Sequence, residues 1–160
     1  MFYINMKGFS EKDIEFMKMA IEEAEKAYRE GEVPVGAVIV CQDGEVIVKE
    51  RNRMIENSDP TAHAEILALR KAGQIIGNYR LLGCKLYVTL EPCPMCAYAM
   101  ILARIEELVF ATFDPKTGAC GSVLNLLEER RFNHRVKVRY GLFEKEASFL
   151  LKKFFQERRK

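Results

Sequence analysis

Histidine is scarce in this chain of 160 residues, occurring only at 63 and 134, so any imidazole chemistry has two candidates. No apolar stretch approaches the roughly 20 residues that a membrane-spanning helix needs. The opening "MFYINMKGFSEKD" lacks the apolar core and small-residue cleavage site of a secretory signal. The expectation is a soluble, cytoplasmic protein without a membrane partner. Internal repeats, Gly/Ser/Pro-rich linkers and low-complexity segments are also missing, and with 49% hydrophobic residues the chain suits one domain over residues 1–160. The five cysteines (Cys41, Cys84, Cys93, Cys96 and Cys120) are an odd number without an export signal, which argues against a disulfide framework. They are expected as reduced thiols or metal ligands, with Cys41 and Cys84 as small buried hydrophobes beside apolar strands.

The net charge of +2 is small but uneven: residues 1–32 carry five basic and eight acidic groups, whereas residues 130–160 carry eleven basic and three acidic. A basic C-terminal end can meet a polyanion, although such runs also merely solvate a helix face. Periodicity predicts a helix over 11–29 capped by Ser10, a strand over 35–41, a turn at "QDG" (42–44) and a returning strand over 45–50. A helix from about His63 to Lys71 stopped by Gly73, a strand over 85–90, a helix over 94–104 and a strand over 107–112 follow. The remainder reads as a loop at 114–122, a short helix over 123–131, a strand over 134–141 and a helix over 144–158 with Phe149, Leu150, Phe154 and Phe155 on its apolar side. Strands alternating with helices after an initial hairpin imply an α/β fold, a three-layer α/β/α sandwich around a mixed sheet of about five strands.

Chemistry concentrates in "EPCPMC" (91–96) and "TAHAEI" (61–66). A C-x-x-C pair serves zinc or a redox dithiol equally well. Pro94 suits the first helical position, so Cys93 stands at the N-cap and Cys96 one turn on, where the helix dipole favours thiolate. His63 and Glu65 break the tie, because a redox dithiol has no need of them. Two thiolates and one imidazole leave a fourth position of zinc open, the pattern of a catalytic site. Residues two apart on a helix point about 200° away from each other, so His63 must stand at the helix entrance if it is to share the site with Glu65. Glu65 is then a proton carrier and not a ligand. His134 reads as a structural histidine.

An H-x-E followed by P-C-x-x-C is the general signature of zinc nucleobase deaminases. "GEVPVGAVIV" (31–40), "DPTAHAEILALR" (59–70), "NYRL" (78–81), "LYVTLEPCPMCAYAM" (86–100), "DPKTGACGS" (114–122), "NHRV" (133–136) and "FFQERRK" (154–160) closely resemble the bacterial tRNA-specific adenosine deaminases. The resemblance runs through nearly the whole chain and implies a cytidine-deaminase-like fold, one Zn2+ per chain and a homodimer. It also implies conversion of adenosine to inosine at the wobble position of a tRNA anticodon stem-loop, chiefly of an arginine tRNA. On the family's pattern His63, Cys93 and Cys96 fall on the zinc ligands and Glu65 on the proton shuttle. Asn52 falls on the residue that contacts the target nucleoside, with Asp114 opening a loop beside it. Lys152, Lys153, Arg158 and Arg159 are the candidates for RNA phosphates, and Phe149, Phe154 and Phe155 are core or stacking residues.

"VKERNR" (48–53) departs from the glycine and aromatic residues usual before Asn52, and Tyr98 stands where a small Gly is common. Two other functions fit the zinc signature. One is a deaminase of a free base or nucleoside such as guanine or cytosine, since "EPCPMC" is also the wording of many guanine deaminases. The other is a non-enzymatic, zinc-stabilised RNA-binding module.

Overall fold

A computed structural model describes residues 8–159. The elements in chain order are α1 (Glu11–Arg29), β1 (Gly36–Val40), β2 (Val46–Arg51), α2 (Ala64–Ile76), β3 (Lys85–Leu90), α3 (Pro94–Leu102), β4 (Glu107–Thr112), β5 (Lys137–Tyr140) and α4 (Glu144–Arg158). The five strands form one mixed sheet in the order β2-β1-β3-β4-β5. β1 runs antiparallel to both β2 and β3, while β3, β4 and β5 are parallel.

Because side chains alternate along a strand, a buried central strand feeds two cores. In β1, Ala37 and Ile39 join Ala64, Ala68 and Ala72 of α2 and Ala97 and Met100 of α3 on one face. Val38 and Val40 join Phe16, Met17 and Ala20 of α1 and Ala147 of α4 on the other. The result is the expected α/β/α sandwich with a five-stranded sheet. Gly36 lets α1 lie close to the sheet: a Cβ there would stand 1.9 Å from the Ala20 carbonyl oxygen and 2.7 Å from the Ala24 nitrogen.

Several expectations need correction. Gly73 does not stop α2, which runs on to Ile76 and ends at Gly77 in the left-handed conformation. A glycine inside a helix weakens it by only about 1 kcal/mol, and the αL position at the true end is what requires one. The helix expected over 123–131 shrinks to a 3-10 turn at Leu126–Glu128, and the strand expected over 134–141 to Lys137–Tyr140. Of the aromatic residues on α4, Phe154 is buried but Phe149 and Phe155 are exposed.

Cys41 and Cys84 are joined in a disulfide, against the expectation of two thiols. Val40 pairs with Lys85, so the next cross-strand position brings Cys41 opposite Cys84, with Cα atoms 4.1 Å apart. Sequence separation hides this pair; strand register makes it.

Glu50, Arg51 and Arg53 of the 48–53 segment are engaged in ion pairs. Arg51 forks onto Glu30 at 2.7 and 2.8 Å and reaches Glu23 at 3.3 Å, while Arg53 binds Glu50 at 2.7 Å and Glu56 at 2.9 Å. These pairs tie the end of β2 to α1 on one side and to the following loop on the other. Buried Glu32 accepts from the backbone of Ile55 and Glu56. Asn52 is thus held between two anchored arginines.

Candidate active site

Two helix entrances meet at the C-terminal side of the sheet. His63 is the N-cap of α2 and Cys93 the N-cap of α3; both have extended backbones, and Pro94 occupies the first turn after Cys93. An N-cap side chain ordinarily accepts a hydrogen bond from the first turn. Neither His63 nor Cys93 does so. They turn toward each other instead, with His63 Nδ1 at 3.6 Å from Cys93 Sγ and 3.5 Å from Cys96 Sγ.

All three donor atoms lie within 4.8 Å of one another, making the one group of this kind among the described residues. Zn–S bonds of about 2.3 Å and a Zn–N bond of about 2.0 Å at tetrahedral angles place N and S about 3.5 Å apart. The observed separations match that requirement, so the donor set fits a zinc ion in both geometry and chemistry. Three protein donors leave the fourth tetrahedral position to a non-protein group.

The protonation pattern is that of a ligand set that shares protons. The hydrogen bond from Cys96, with further help from His63, lowers the Cys93 thiol to about 4 against the opposing effect of burial. The same Cys93 interaction, then burial and the nearby Glu65 charge, raises the Cys96 thiol. His63 is raised by its hydrogen bond to Cys93. A divalent cation held by these three donors would replace the shared proton and favour both sulfurs as thiolates.

Glu65 lies in the first turn of α2, two residues from His63, and is buried. Burial raises its carboxyl group to about 7, with its backbone hydrogen bond and the His63 charge acting in the opposite direction. Because His63 precedes the helix, its extended backbone cancels the divergence that a regular helix would impose on an i, i+2 pair.

His63, Glu65 and Cys93 line a cavity of about 660 Å³, together with Asn52 and Asp114. Exposed Lys116, Lys152, Phe155, Arg158 and Arg159 complete its rim. Asn52 is buried, and its Oδ1 accepts from the Ala64 amide at 2.8 Å. It therefore caps α2 from a distance, in place of the histidine. Asp114 spends its carboxylate on its own loop, accepting from the Lys116 and Thr117 amides at 3.0 and 3.3 Å and from the Thr117 hydroxyl at 2.8 Å.

Not every expected residue comes to the cavity. Lys153 faces away, its Nζ 5.2 Å from the centre of the Tyr28 ring. His134 donates from Nε2 to the Ile105 carbonyl at 2.8 Å, a structural bond remote from the donor set. Cys120 is buried, and burial raises its thiol well above the usual range. Sequence reasoning missed Glu91 and Lys116 as cavity residues. The signal for Glu91 lay in the hexapeptide itself, a carboxylate between an apolar strand and a proline.

Among the described residues no helix is long and apolar enough to cross a membrane. Residues 10–112 match the family model described as the cytidine and deoxycytidylate deaminase zinc-binding region. The chain is 50% identical over 145 residues to a tRNA-specific adenosine deaminase of Bacillus subtilis, covering 91% of this chain and 89% of the relative. It is 51% identical over 144 residues to the enzyme of that name from Aquifex aeolicus, covering 90% and 94%. Among solved structures it resembles one from work on A-to-I editing by tRNA:A34 deaminases at the wobble position, with a TM-score of 0.83, 45% identity, and coverage of 86% of this chain and 99% of that one. A histidine and two thiolates spaced for zinc, a buried glutamate beside them and these likenesses along nine-tenths of the sequence agree: the chain belongs to the tRNA-specific adenosine deaminases of the zinc-dependent cytidine and deoxycytidylate deaminase family.

Proposed function

We propose that this protein hydrolyses adenosine to inosine at the first anticodon position of a tRNA, with release of ammonia, and that it works in the cytoplasm. The observation that carries the chemical part is the placement of buried Glu65 beside a three-donor set at the bottom of a cavity with a cationic rim. His63, Cys93 and Cys96 hold the zinc. When bound, zinc would supply a Lewis acid that lowers the pKa of water toward about 7.

Glu65 carries the protons. A carboxyl group raised to about 7 by burial exchanges a proton readily near neutral pH. Glu65 takes a proton from the attacking water and delivers it to N1 of adenine as the oxygen adds to C6. It then conveys the second water proton to the exocyclic nitrogen, which leaves as ammonia while C6 becomes a carbonyl. One carboxyl group, alternately base and acid, balances the whole reaction. Asn52, its carbonyl oxygen committed to Ala64, has its NH2 group left as a donor to the nucleoside.

An anticodon loop supplies a base that is already unpaired, so little unstacking work is needed to bring it to the cavity floor. Lys116, Lys152, Arg158 and Arg159 at the rim suit the flanking phosphates, and their binding is expected to weaken steeply with salt. Phe155, exposed among them, is placed for base stacking. A homodimer is favoured by the apolar groups left outside on the side of α2 and α3: Ile75, Tyr79, Tyr98, Leu102, Val123 and Leu124. Tyr98, in place of a small residue, packs on Phe132 there at 5.2 Å between ring centres.

The test is direct. Zinc-loaded protein is incubated with an unmodified anticodon stem-loop bearing adenosine at its first anticodon position, and inosine is measured by mass spectrometry of the digested RNA. Inosine at that position alone is the expected product. Release of ammonia from free guanine or cytosine, with the stem-loop untouched, rejects the proposal.

A further inference from the structure

Glu91 is buried at the end of β3, two residues before Cys93, and lines the same cavity, yet the deamination chemistry does not use it. Its carboxylate is saturated. Oε1 accepts from the Asp114 amide at 2.9 Å and from the Ser122 hydroxyl, and Oε2 accepts from the Cys120 amide at 2.9 Å and the Ser122 amide at 3.0 Å. A carboxylate offers about four lone-pair sites, and four donors fill them. No ion pair reaches Glu91 among the described residues; a ring of neutral donors holds the charge. All the donors come from the two ends of one loop, 114–122.

A second bond follows the same path, from the Ala119 amide to the Pro92 carbonyl at 2.8 Å. The loop is fitted closely around the carboxylate: a Cβ on Gly118 would stand 2.3 Å from Glu91 Cδ. Asp114, which opens the loop, itself lines the cavity. One wall of the cavity is therefore tied to the segment that carries Cys93 by the Glu91 side chain and by one backbone bond at Pro92.

We infer that Glu91 is a positioning residue for catalysis, fixing the 114–122 wall in register with the metal-ligand segment so that the target base meets Glu65 at the right distance. The inference rests on the proposed function for its substrate, but not for its geometry. Glutamine at 91 keeps the volume but turns one acceptor oxygen into an NH2 donor facing a backbone N–H or the Ser122 hydroxyl, so the ring of bonds cannot close. Of the rim cations only Lys116 lies in this loop; Lys152, Arg158 and Arg159 come from the C-terminal helix and its end, so the loss falls on turnover more than on RNA capture.

The experiment uses the zinc-loaded full chain with Glu91→Gln and, as a second variant, Gly118→Ala, which displaces the same carboxylate from the loop side without changing the sequence of residues 91–96. Zinc content, steady-state kinetics on the anticodon stem-loop and amide hydrogen exchange of the 113–123 segment without RNA are measured for each. The expected result is about one zinc per chain, a fall in kcat of at least tenfold with KM changed less than about threefold, and faster exchange at Cys120 and Ser122 than in the parent. Ser122→Ala produces a smaller fall and adds nothing on top of Glu91→Gln. Unchanged exchange with kcat within twofold of the parent overturns the inference, as does a loss of activity that only follows a loss of zinc. If Glu91→Gln does not fold, Gly118→Ala and Ser122→Ala decide by the same readings. Hydrogen exchange needs no substrate, so a parent protein inactive on the stem-loop counts against the proposed substrate and leaves the loop measurement to judge Glu91.

Discussion

Three helices of this protein begin in two different ways, and the difference separates scaffold from site. α1 begins with a complete capping box: the Ser10 hydroxyl accepts from the Asp13 amide at 3.0 Å, and the Asp13 carboxylate accepts from the Ser10 amide at 2.9 Å. α2 and α3 begin at His63 and Cys93 with no cap bond from either side chain. A missing N-cap costs about 1 kcal/mol. At α2, Asn52 offsets that loss by reaching the Ala64 amide from the end of β2. At α2 the capping position is given to a residue of the metal-donor set and the duty of capping passes to a neighbour. Glu91 does the same kind of work for the loop opposite.

The contrast is broken most severely at Glu65. Glu65→Ala is expected to lower kcat on the stem-loop by several orders of magnitude while zinc content and RNA affinity stay as in the parent, because in the proposed mechanism the side chain carries protons and binds neither. Parent-like turnover in single-turnover kinetics would remove Glu65 from the mechanism. Next come the ligand caps. Cys93→Ala or His63→Ala is expected to reduce zinc from about one per chain to none by elemental analysis, and the thermal midpoint falls with it, since metal binding to the folded state is folding free energy.

Asn52→Ala strikes both halves of the comparison, since it removes a cap and a cavity donor together. A loss of about 1–2 kcal/mol in urea unfolding is expected from the orphaned Ala64 amide, together with a rise in KM for the stem-loop. Asn52→Asp, which keeps the acceptor, should recover the stability and not the KM. The smallest effect belongs to the scaffold: Ser10→Ala is expected to cost about 1 kcal/mol of stability and leave kcat/KM untouched.

Asp13 adds a pH signature to that scaffold. Although burial alone would raise it, hydrogen bonds from Arg139, Tyr87 and the Ser10 amide hold its carboxyl well below the usual carboxylate range. A depressed folded-state pKa means stability that is present above the unfolded value and lost as pH falls toward the folded one. Acid unfolding of the parent below about pH 4 should therefore be steeper than that of Asp13→Asn.

Much of this was legible in the sequence because it is local. Ser10 and the helical periodicity over 11–29 place α1 with the observed limits. β3 and β4 show as apolar runs, and Pro94 after Cys93 marks the start of α3. The donor set was legible too, because zinc demands particular atoms and these appear at short spacings. Gly73 misled, since a glycine within a helix looks in sequence like one beyond its end. Tyr98 and the arginines around Asn52 could be noticed but not explained.

The sequence by itself determined which side chains can hold a metal and move a proton, for these are properties of residue type and of helix entrances a few residues long. Only the tertiary structure decided that Cys41 faces Cys84, that Arg51 and Arg53 grip opposite sides of Asn52, that Lys153 turns to Tyr28, and that Glu91 gathers a loop 23 to 31 positions away. Those relations depend on strand register and on loops closing over the sheet, where distance along the chain says nothing about distance in space.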